Sequence, residues 1–150
     1  MNKLESLAVE GKINESASMR DRQSIVINAP IEKVWSILTE INSWPSWYPA
    51  IKKSQLDVFE VGAEFTWKIK GNTLRSILRQ IDKPHSLTWT GTFKNVKAIH
   101  NWRLEAADDY QTIVTTQESL EGIMTIFISH PKFNKSLIEW LECLKREAEK

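Results

Sequence analysis

Apolar residues between Glu64 and Ser119 recur with a period of two, and this alternation limits the possible folds more than any other feature of the chain. Phe65, Trp67 and Ile69 alternate with polar residues, and the pattern resumes after each of several turn signals. Such alternation is typical of strands that bury one face and leave the other in water. The sequence therefore predicts a run of antiparallel strands at about 65–70, 74–81, 87–93, 97–105 and 111–119.

Helical spacing flanks this run of strands. A strand at 23–28 is followed by Val34, Trp35 and Leu38, whose spacing predicts a helix. Two prolines within 42–49 restrict the residues before them and allow only a short second helix. Strands in a meander with segregated helices indicate an α+β domain, in which a last helix covers one face of a curved sheet. One stripe near the end of the chain predicts that helix: Phe133, Leu137, Trp140, Leu141 and Leu144.

Composition and length indicate one ordinary domain. The 150 residues are 41% hydrophobic and 26% charged, with a net charge of +1. We expect the domain to span residues 13–150, after a loosely ordered tail over the polar residues 1–12. The near-zero net charge gives no field that would recruit nucleic acid or an acidic membrane. No stretch has the pattern of a signal peptide or a membrane span, so we expect no integral membrane segment and a cytoplasmic location.

Cysteine and histidine are too few and too scattered to indicate a metal site. Cys143 is the only cysteine, so no internal disulfide can form. It lies within an apolar helical pattern, as a small buried hydrophobe would. His85, His100 and His130 fall on different predicted elements, without the spacing of metal ligands. The chain also has no nucleophile elbow or glycine-rich phosphate loop, and we predict no metal and no cofactor.

Several short motifs follow one another along the chain. Ser24–Trp35 runs from a strand into Ala-Pro and then into a helix that carries Val-Trp. Trp44–Pro49 holds two tryptophans and two prolines in a short stretch, and Pro84 is followed by Leu87 and Trp89. In this order and over nearly the whole chain, the motifs resemble the START-like SRPBCC superfamily, often labelled polyketide cyclase/dehydrase.

The resemblance implies a helix-grip fold, in which a curved antiparallel β-sheet wraps around a long C-terminal helix, with two short helices after the first strand. It also implies a deep cavity between the sheet and that helix. Members include lipid carriers, hormone binders, aromatic polyketide cyclases and chaperone activators, so the fold does not specify a function. We expect the cavity to be lined by Trp67, Ile69, Leu74, Ser76, Leu78, Trp89, Phe93, His100, Trp102, Leu104, Val114, Thr116, Glu118, Phe133, Leu137, Trp140 and Leu141.

The last two strands bring a histidine beside a carboxylate if they pair about the turn at 108–109. The facing pairs are then His100 with Glu118, Trp102 with Thr116, and Leu104 with Val114. The apolar members indicate a dry face, so the two polar groups would share an apolar enclosure. Three interpretations remain open: a buried polar pair that sets the register, a polar handle for a ligand, or a general acid–base pair.

These patterns favour a protein that binds a small hydrophobic or aromatic molecule, as a monomer or a homodimer. The alternative is a polyketide-cyclase-type enzyme, in which His100 and Glu118 move protons on a substrate carbonyl. A third hypothesis is a protein-interaction module of chaperone-activator type that uses the outer face of the sheet. An open cavity with both polar groups inside would favour the first two hypotheses, and a closed cavity without polar groups would favour the third.

Overall fold

The computed structural model describes all residues from Met1 to Lys150. Seven strands form one antiparallel sheet: β1 (Met19–Ile27), β2 (Ile51–Gln55), β3 (Glu64–Ile69), β4 (Asn72–Asp82), β5 (Ser86–Phe93), β6 (Val96–Asp108) and β7 (Gln111–Glu121). The α-helices are α1 (Lys3–Val9), α2 (Ile31–Thr39), α3 (Trp44–Trp47) and α4 (His130–Ala148). Two 3-10 turns, Ile41–Ser43 and Ile123–Phe127, precede α3 and α4.

The order of the strands in the sheet is β1-β7-β6-β5-β4-β3-β2. Strands β1 and β2 are therefore the two edges, and the segment with α2 and α3 carries the chain from one edge to the other. From β2 onwards each strand pairs with the next one in sequence, as the alternation with a period of two predicts. The result is the predicted α+β arrangement, with one open sheet and a long last helix.

Helix α4 packs against the inner face of the sheet, the face that carries Trp89 and Trp102. Ser129 caps the start of this helix, because its Oγ accepts a hydrogen bond from the backbone N–H of Lys132 at 3.3 Å. All residues of the predicted apolar stripe are buried: Phe133, Leu137, Trp140, Leu141 and Leu144. The helix therefore completes the core as the sequence predicts.

Aromatic rings fill one end of the space between the sheet and α4. Trp44, at the start of α3, is fully buried, and its Nε1 donates a hydrogen bond to the backbone oxygen of Leu38 at 2.9 Å. Its ring centroid lies 5.0 Å from Trp140, 5.4 Å from Trp89 and 5.8 Å from Phe65. These separations and tilted or edge-on orientations are favourable for aromatic pairs. Helices α2 and α3 thus close this end of the space between the sheet and α4.

Residues 1–12 differ from the loosely ordered tail that the sequence predicts. Lys3–Val9 form α1, which lies on the outer face of the sheet with Ala8 fully buried beside Ile13 and Ile99. The prediction is wrong because the apolar stripe of this helix covers only about two turns, too short a pattern to indicate a helix by periodicity. Part of the outer face is consequently covered by the chain itself.

Leu141→Ala is expected to lower the free energy of unfolding by about 2–5 kcal/mol, because the side chain is buried in the core and its removal leaves a cavity. Urea melts measure this change. Ile138→Ala is the matched control. Ile138 lies on the same helix but is 39% exposed, so its truncation is expected to lower the free energy of unfolding much less. Equal losses in the two variants would mean that α4 does not lie as described.

Candidate functional site

A cavity of about 320 Å³ lies between the inner face of the sheet and α4. Eleven of its twenty lining residues are hydrophobic. The wall combines residues from β3 to β7 with Phe133, Ser136 and Trp140 of α4. Lys70, Thr92 and Lys132 are its exposed members and mark its mouth. The volume is at the lower end of the range of small-molecule pockets, which is about 300–1,000 Å³.

The space exists because three small residues form a row across the sheet. Ser76 on β4 faces Gly91 on β5, and Gly91 faces Ala98 on β6. A Cβ atom at Gly91 would lie 3.1 Å from the Ser76 Oγ, so even this position is tight at the level of the sheet. On the inner side of this row, no large side chain fills the space between the sheet and α4. The hollow is therefore a consequence of residue size along a line that crosses three strands.

The structure brings many of the predicted lining residues together. Those in the cavity wall are Trp67, Ile69, Leu74, Ser76, Trp89, Phe93, His100, Glu118, Phe133 and Trp140. Those that do not reach the cavity are Leu78, Trp102, Leu104, Val114, Thr116, Leu137 and Leu141. The latter lie on the predicted dry faces, but other core side chains cover them. Most belong to the cluster around α2 and α3, whereas Leu137 packs beside Met19.

Sequence reasoning missed part of the wall. Gly91, Ala98 and Leu120 lie on the same alternating faces as the predicted residues, and an isolated glycine within a strand is a recognised sign of close approach or of space. Ile128 and Lys132, at the start of the last helical region, have no comparable signal. The missed members of the wall are Lys70, Asn72, Gly91, Thr92, Val96, Ala98, Leu120, Ile128, Lys132 and Ser136.

The strand register places His100 beside Glu118, as predicted. The facing pairs are His100 with Glu118, Trp102 with Thr116, and Leu104 with Val114. The Nε2 atom of His100 is 2.7 Å from the Thr116 Oγ1, and its ring stacks on Trp102 with centroids 5.3 Å apart. These contacts hold the imidazole in one orientation at the deep end of the cavity.

The other ring nitrogen of His100 has no hydrogen-bond partner in the protein. Nδ1 is buried, and the nearest carboxylate atom, Oε2 of Glu118, is 3.5 Å away. That distance is too long for a good hydrogen bond. The Glu118 side chain is 18% exposed and lines the cavity, so its free oxygen surface faces the interior space. The pair therefore does not satisfy itself, and the Glu118 carboxyl is the member that a molecule in the cavity can contact directly.

Burial makes both groups neutral near pH 7. It lowers the pKa of His100 to about 3, because the imidazolium would lose its hydration. It raises the pKa of Glu118 to about 8 for the corresponding reason, since the carboxylate is the charged form. The cavity thus holds an uncharged imidazole and a protonated carboxyl group, which together offer hydrogen-bond donors and acceptors without charge.

No group of three or more His, Cys, Asp or Glu side chains is placed to hold a metal ion. None of the helices is long and apolar enough to cross a membrane. The cavity wall offers aromatic rings, aliphatic side chains, hydroxyls, the Asn72 amide and the neutral pair, with Lys70 and Lys132 at the mouth.

Comparison with known proteins identifies the family. Residues 20–136 match the family described as "Polyketide cyclase / dehydrase and lipid transport". The chain belongs to this family. The START-like fold predicted from the sequence is thereby confirmed. None of the curated proteins compared with the chain matches it.

Solved structures share the fold at low sequence identity. A hypothetical protein from Helicobacter pylori is 16% identical, with a TM-score of 0.79 over 89% of this chain and 90% of that one. A START superfamily protein from Mycobacterium smegmatis is 12% identical, with a TM-score of 0.74 over 87% and 97%. The ZhuI aromatase/cyclase from Streptomyces sp. R1128 is 16% identical, with a TM-score of 0.67 over 87% and 93%. Likeness at these identities establishes the fold alone.

Glu118→Gln is expected to remove the loss of folding free energy that Glu118 contributes as the pH rises from 4.5 towards about 8, a loss that His100 offsets in the parent below pH 6.5. A carboxyl whose pKa is raised by folding favours the folded state below its unfolded pKa, and this contribution is lost as the pH rises through the folded pKa. Glutamine does not ionise, so the variant lacks that loss. His100 has the opposite dependence, with a contribution lost as the pH falls below 6.5, and it is unchanged in the variant.

Urea melts at a series of pH values measure this difference. Glu105→Gln, on the exposed outer side of β6, is the control and should keep the pH dependence of the parent. Identical slopes for the parent and Glu118→Gln would contradict the assignment of a protonated Glu118.

Proposed function

We propose that this protein binds a small, largely apolar molecule in the cavity, and that His100 and Glu118 hold one uncharged polar group of that molecule. The observation that carries the proposal is the buried Nδ1 of His100, which lacks a partner in the protein. Buried polar groups are nearly always hydrogen-bonded, so the position calls for a group supplied from outside the chain. Glu118, whose Oε2 lies 3.5 Å from that nitrogen, lines the open cavity, so a ligand group that displaces this carboxyl reaches Nδ1.

The walls of the cavity support an aromatic or otherwise flat ligand. Trp67, Trp89, Phe93, Phe133 and Trp140 contribute ring faces and edges to the wall. Such side chains bind rings through large apolar contact areas and favourable stacked or edge-on geometries. The largest free-energy gain on binding thus comes from the apolar body of the ligand.

The neutral pair supports a hydroxyl or a carbonyl as the polar group of the ligand. A protonated Glu118 donates one hydrogen bond and accepts others, and a neutral His100 donates or accepts according to its tautomer. A ligand carboxylate at this depth would lose its hydration without meeting a positive charge, because the two lysines of the cavity wall, Lys70 and Lys132, are exposed at its mouth. Uncharged ligands avoid that cost.

Proton-transfer chemistry is the second candidate, and the pairing of His100 with Glu118 is the observation that favours it. The aromatase/cyclase named above shares the fold, although that likeness carries no substrate to this chain. A histidine whose pKa is lowered to about 3 is a weak base at neutral pH. Its hydroxyl partner, Thr116, does not line the cavity and offers no nucleophile to a ligand. Binding therefore accounts for the geometry better than catalysis does.

The interaction-module hypothesis has less support. Its distinguishing feature was a closed cavity without polar groups, whereas this cavity is open at one end and contains two polar groups. Helix α1 also covers part of the outer face, where Arg79 is 3.5 Å from Glu5 and Arg103 donates to the backbone oxygen of Gly11 at 3.1 Å. These arginines are engaged by the chain's own N-terminal segment.

Native mass spectrometry of the protein purified from its own host tests the proposal directly, since a retained ligand would add its mass. In parallel, a titration with the apolar dye phenyl-naphthylamine should saturate at one dye per chain and quench tryptophan emission. Absence of any retained mass together with non-saturating dye binding would overturn the proposal.

Ala98→Leu is expected to weaken binding of this dye by at least about tenfold while leaving the fold intact, because the larger side chain occupies space in a pocket of limited volume. Filling the space should also leave the free energy of unfolding unchanged or raise it by about 0.5–2 kcal/mol. Ala106→Leu, on the exposed end of the same strand, is the control and should bind as the parent does. Full dye affinity in Ala98→Leu would place the dye site elsewhere.

The double variant His100→Phe/Glu118→Leu separates a ligand handle from a purely structural pair. Both polar groups are removed at similar volume, so the free energy of unfolding should stay within about 1 kcal/mol of the parent or rise. Retention of the host-derived ligand, measured by native mass spectrometry, should be lost. His85→Phe/Glu105→Leu makes the same substitutions at exposed positions and should retain it. A double variant that folds and keeps the ligand would contradict the ligand handle, and the cavity would then select its ligand by shape alone.

A further inference from the structure

In the 3-10 turn Ile123–Phe127, the apolar side chains are exposed to water and the polar side chain is buried. Its buried residue is Thr125, whereas Ile123, Ile126 and Phe127 are 82%, 74% and 75% exposed. Met124 is 37% exposed on the same turn. Soluble chains normally bury such side chains and expose the threonine, and a cluster of exposed apolar groups indicates a binding surface. We name Ile123, Met124, Ile126 and Phe127 the apolar tip.

The apolar tip is held outward by a polar anchor. The Thr125 hydroxyl donates to the backbone oxygen of Gly122 at 2.7 Å, so the Ser18 hydroxyl, 2.8 Å away, donates to Thr125. Gly122 has a φ of +121°, and a Cβ atom there would lie 2.7 Å from the backbone oxygen of Asn95. Only glycine allows this close approach. The turn is thus fixed against the β5–β6 hairpin, and its apolar side chains do not fold back onto the core.

Three lysines lie in the segments next to the apolar tip. Lys94 and Lys97 belong to the β5–β6 hairpin on which the turn rests, and Lys132 lies in the first turn of α4. None of the three has an ion-pair partner, although Lys97 faces Glu121 across the strands. The first turn of α4 has no acidic residue, although the helix dipole favours one there. A local excess of lysine is therefore present despite a net charge of only +1 for the whole chain.

We propose that the apolar tip docks on the surface of an anionic lipid membrane. Its side chains enter the boundary between headgroups and acyl chains, and the surrounding lysines contact the anionic headgroups. A second copy of the chain is a poorer occupant of the same surface, because a symmetric contact would place lysines against lysines. The whole-chain charge predicted no attraction to an acidic membrane, and the difference arises because folding places the β5–β6 hairpin, with Lys94 and Lys97, against this turn.

The docking surface adjoins the mouth of the cavity. Ile128 directly follows the apolar tip and lines the cavity, and Lys132 is both a basic residue of this surface and a member of the mouth. A docked protein would hold the mouth next to the lipid, so that an apolar molecule could enter without crossing water. Membrane binding itself does not depend on the cavity ligand, and the two proposals can fail separately.

Flotation of the full chain with phosphatidylcholine vesicles that contain about 30% phosphatidylserine tests this proposal. The parent should float with these vesicles, and Ile126→Ser/Phe127→Ser should bind at least about tenfold more weakly, because the buried apolar area is lost. Val58→Ser/Val61→Ser removes two exposed valines from the β2–β3 connection and is the matched control, expected to bind as the parent does. Circular dichroism and the dye titration establish that each variant is folded with its cavity intact.

The charge component has its own pair of variants. Lys94→Glu/Lys132→Glu should weaken binding, and added salt should weaken binding of the parent, because both reduce attraction to the headgroups. Lys52→Glu/Lys53→Glu makes the same change in charge on the exposed edge strand β2 and should bind more nearly as the parent does.

Two results would overturn membrane docking. One is a parent that floats with neither anionic nor pure phosphatidylcholine vesicles, and the other is Ile126→Ser/Phe127→Ser floating as the parent does. Sedimentation identifies the competing occupant, since a parent dimer that becomes a monomer in this variant, without vesicle binding, would assign the apolar tip to self-association.

Discussion

The packing of Trp140 against Trp44 determines how closely α4 approaches the sheet. Trp44 is fixed by its hydrogen bond to Leu38 and by rings on three sides. Helices α2 and α3, which close one end of the space between the sheet and α4, therefore support the middle of α4. Beyond Trp140, towards the start of the helix, the sheet presents Gly91 and Ala98 in place of large side chains. A helix held at its middle by these rings and facing small residues nearer its start leaves a cavity, because it is too stiff to bend into the gap.

The polar pair lies at the boundary between the packed end and the open end. On its closed side His100 meets Trp102 and Thr116, which fix the ring. On its open side the Glu118 carboxyl borders the cavity, with its Oε2 3.5 Å from the unpartnered Nδ1 of His100. Burial holds both groups uncharged, so the deep end recognises hydrogen-bonding groups and disfavours ions. The family and the solved structures establish the architecture around this pair, and the pair itself is the feature that separates the function hypotheses.

Charge and apolar surface are distributed unevenly, and the net charge of the chain conceals this. The interior of the cavity is neutral, whereas its mouth is bordered by lysines and by an exposed apolar turn. The turn keeps this arrangement because Thr125 is anchored and Gly122 fits closely against Asn95. In the membrane-docking proposal, the mouth and this turn act as one surface, because Ile128 connects them.

The sequence by itself determined the strands, the register of His100 with Glu118, and the buried stripe of α4, because each depends on periodicity within one segment or across one hairpin. It also determined the family, through motifs in order. Only the tertiary structure decided which dry-face residues border empty space, since Trp102 and Leu104 differ from Trp89 only in what packs on them. It likewise decided the partial covering of the outer face by α1, the unpartnered nitrogen of His100, and the contact of the β5–β6 hairpin with the turn after β7. Periodicity specifies the face of an element on which a residue lies, whereas the contacts of that face depend on segments distant in sequence.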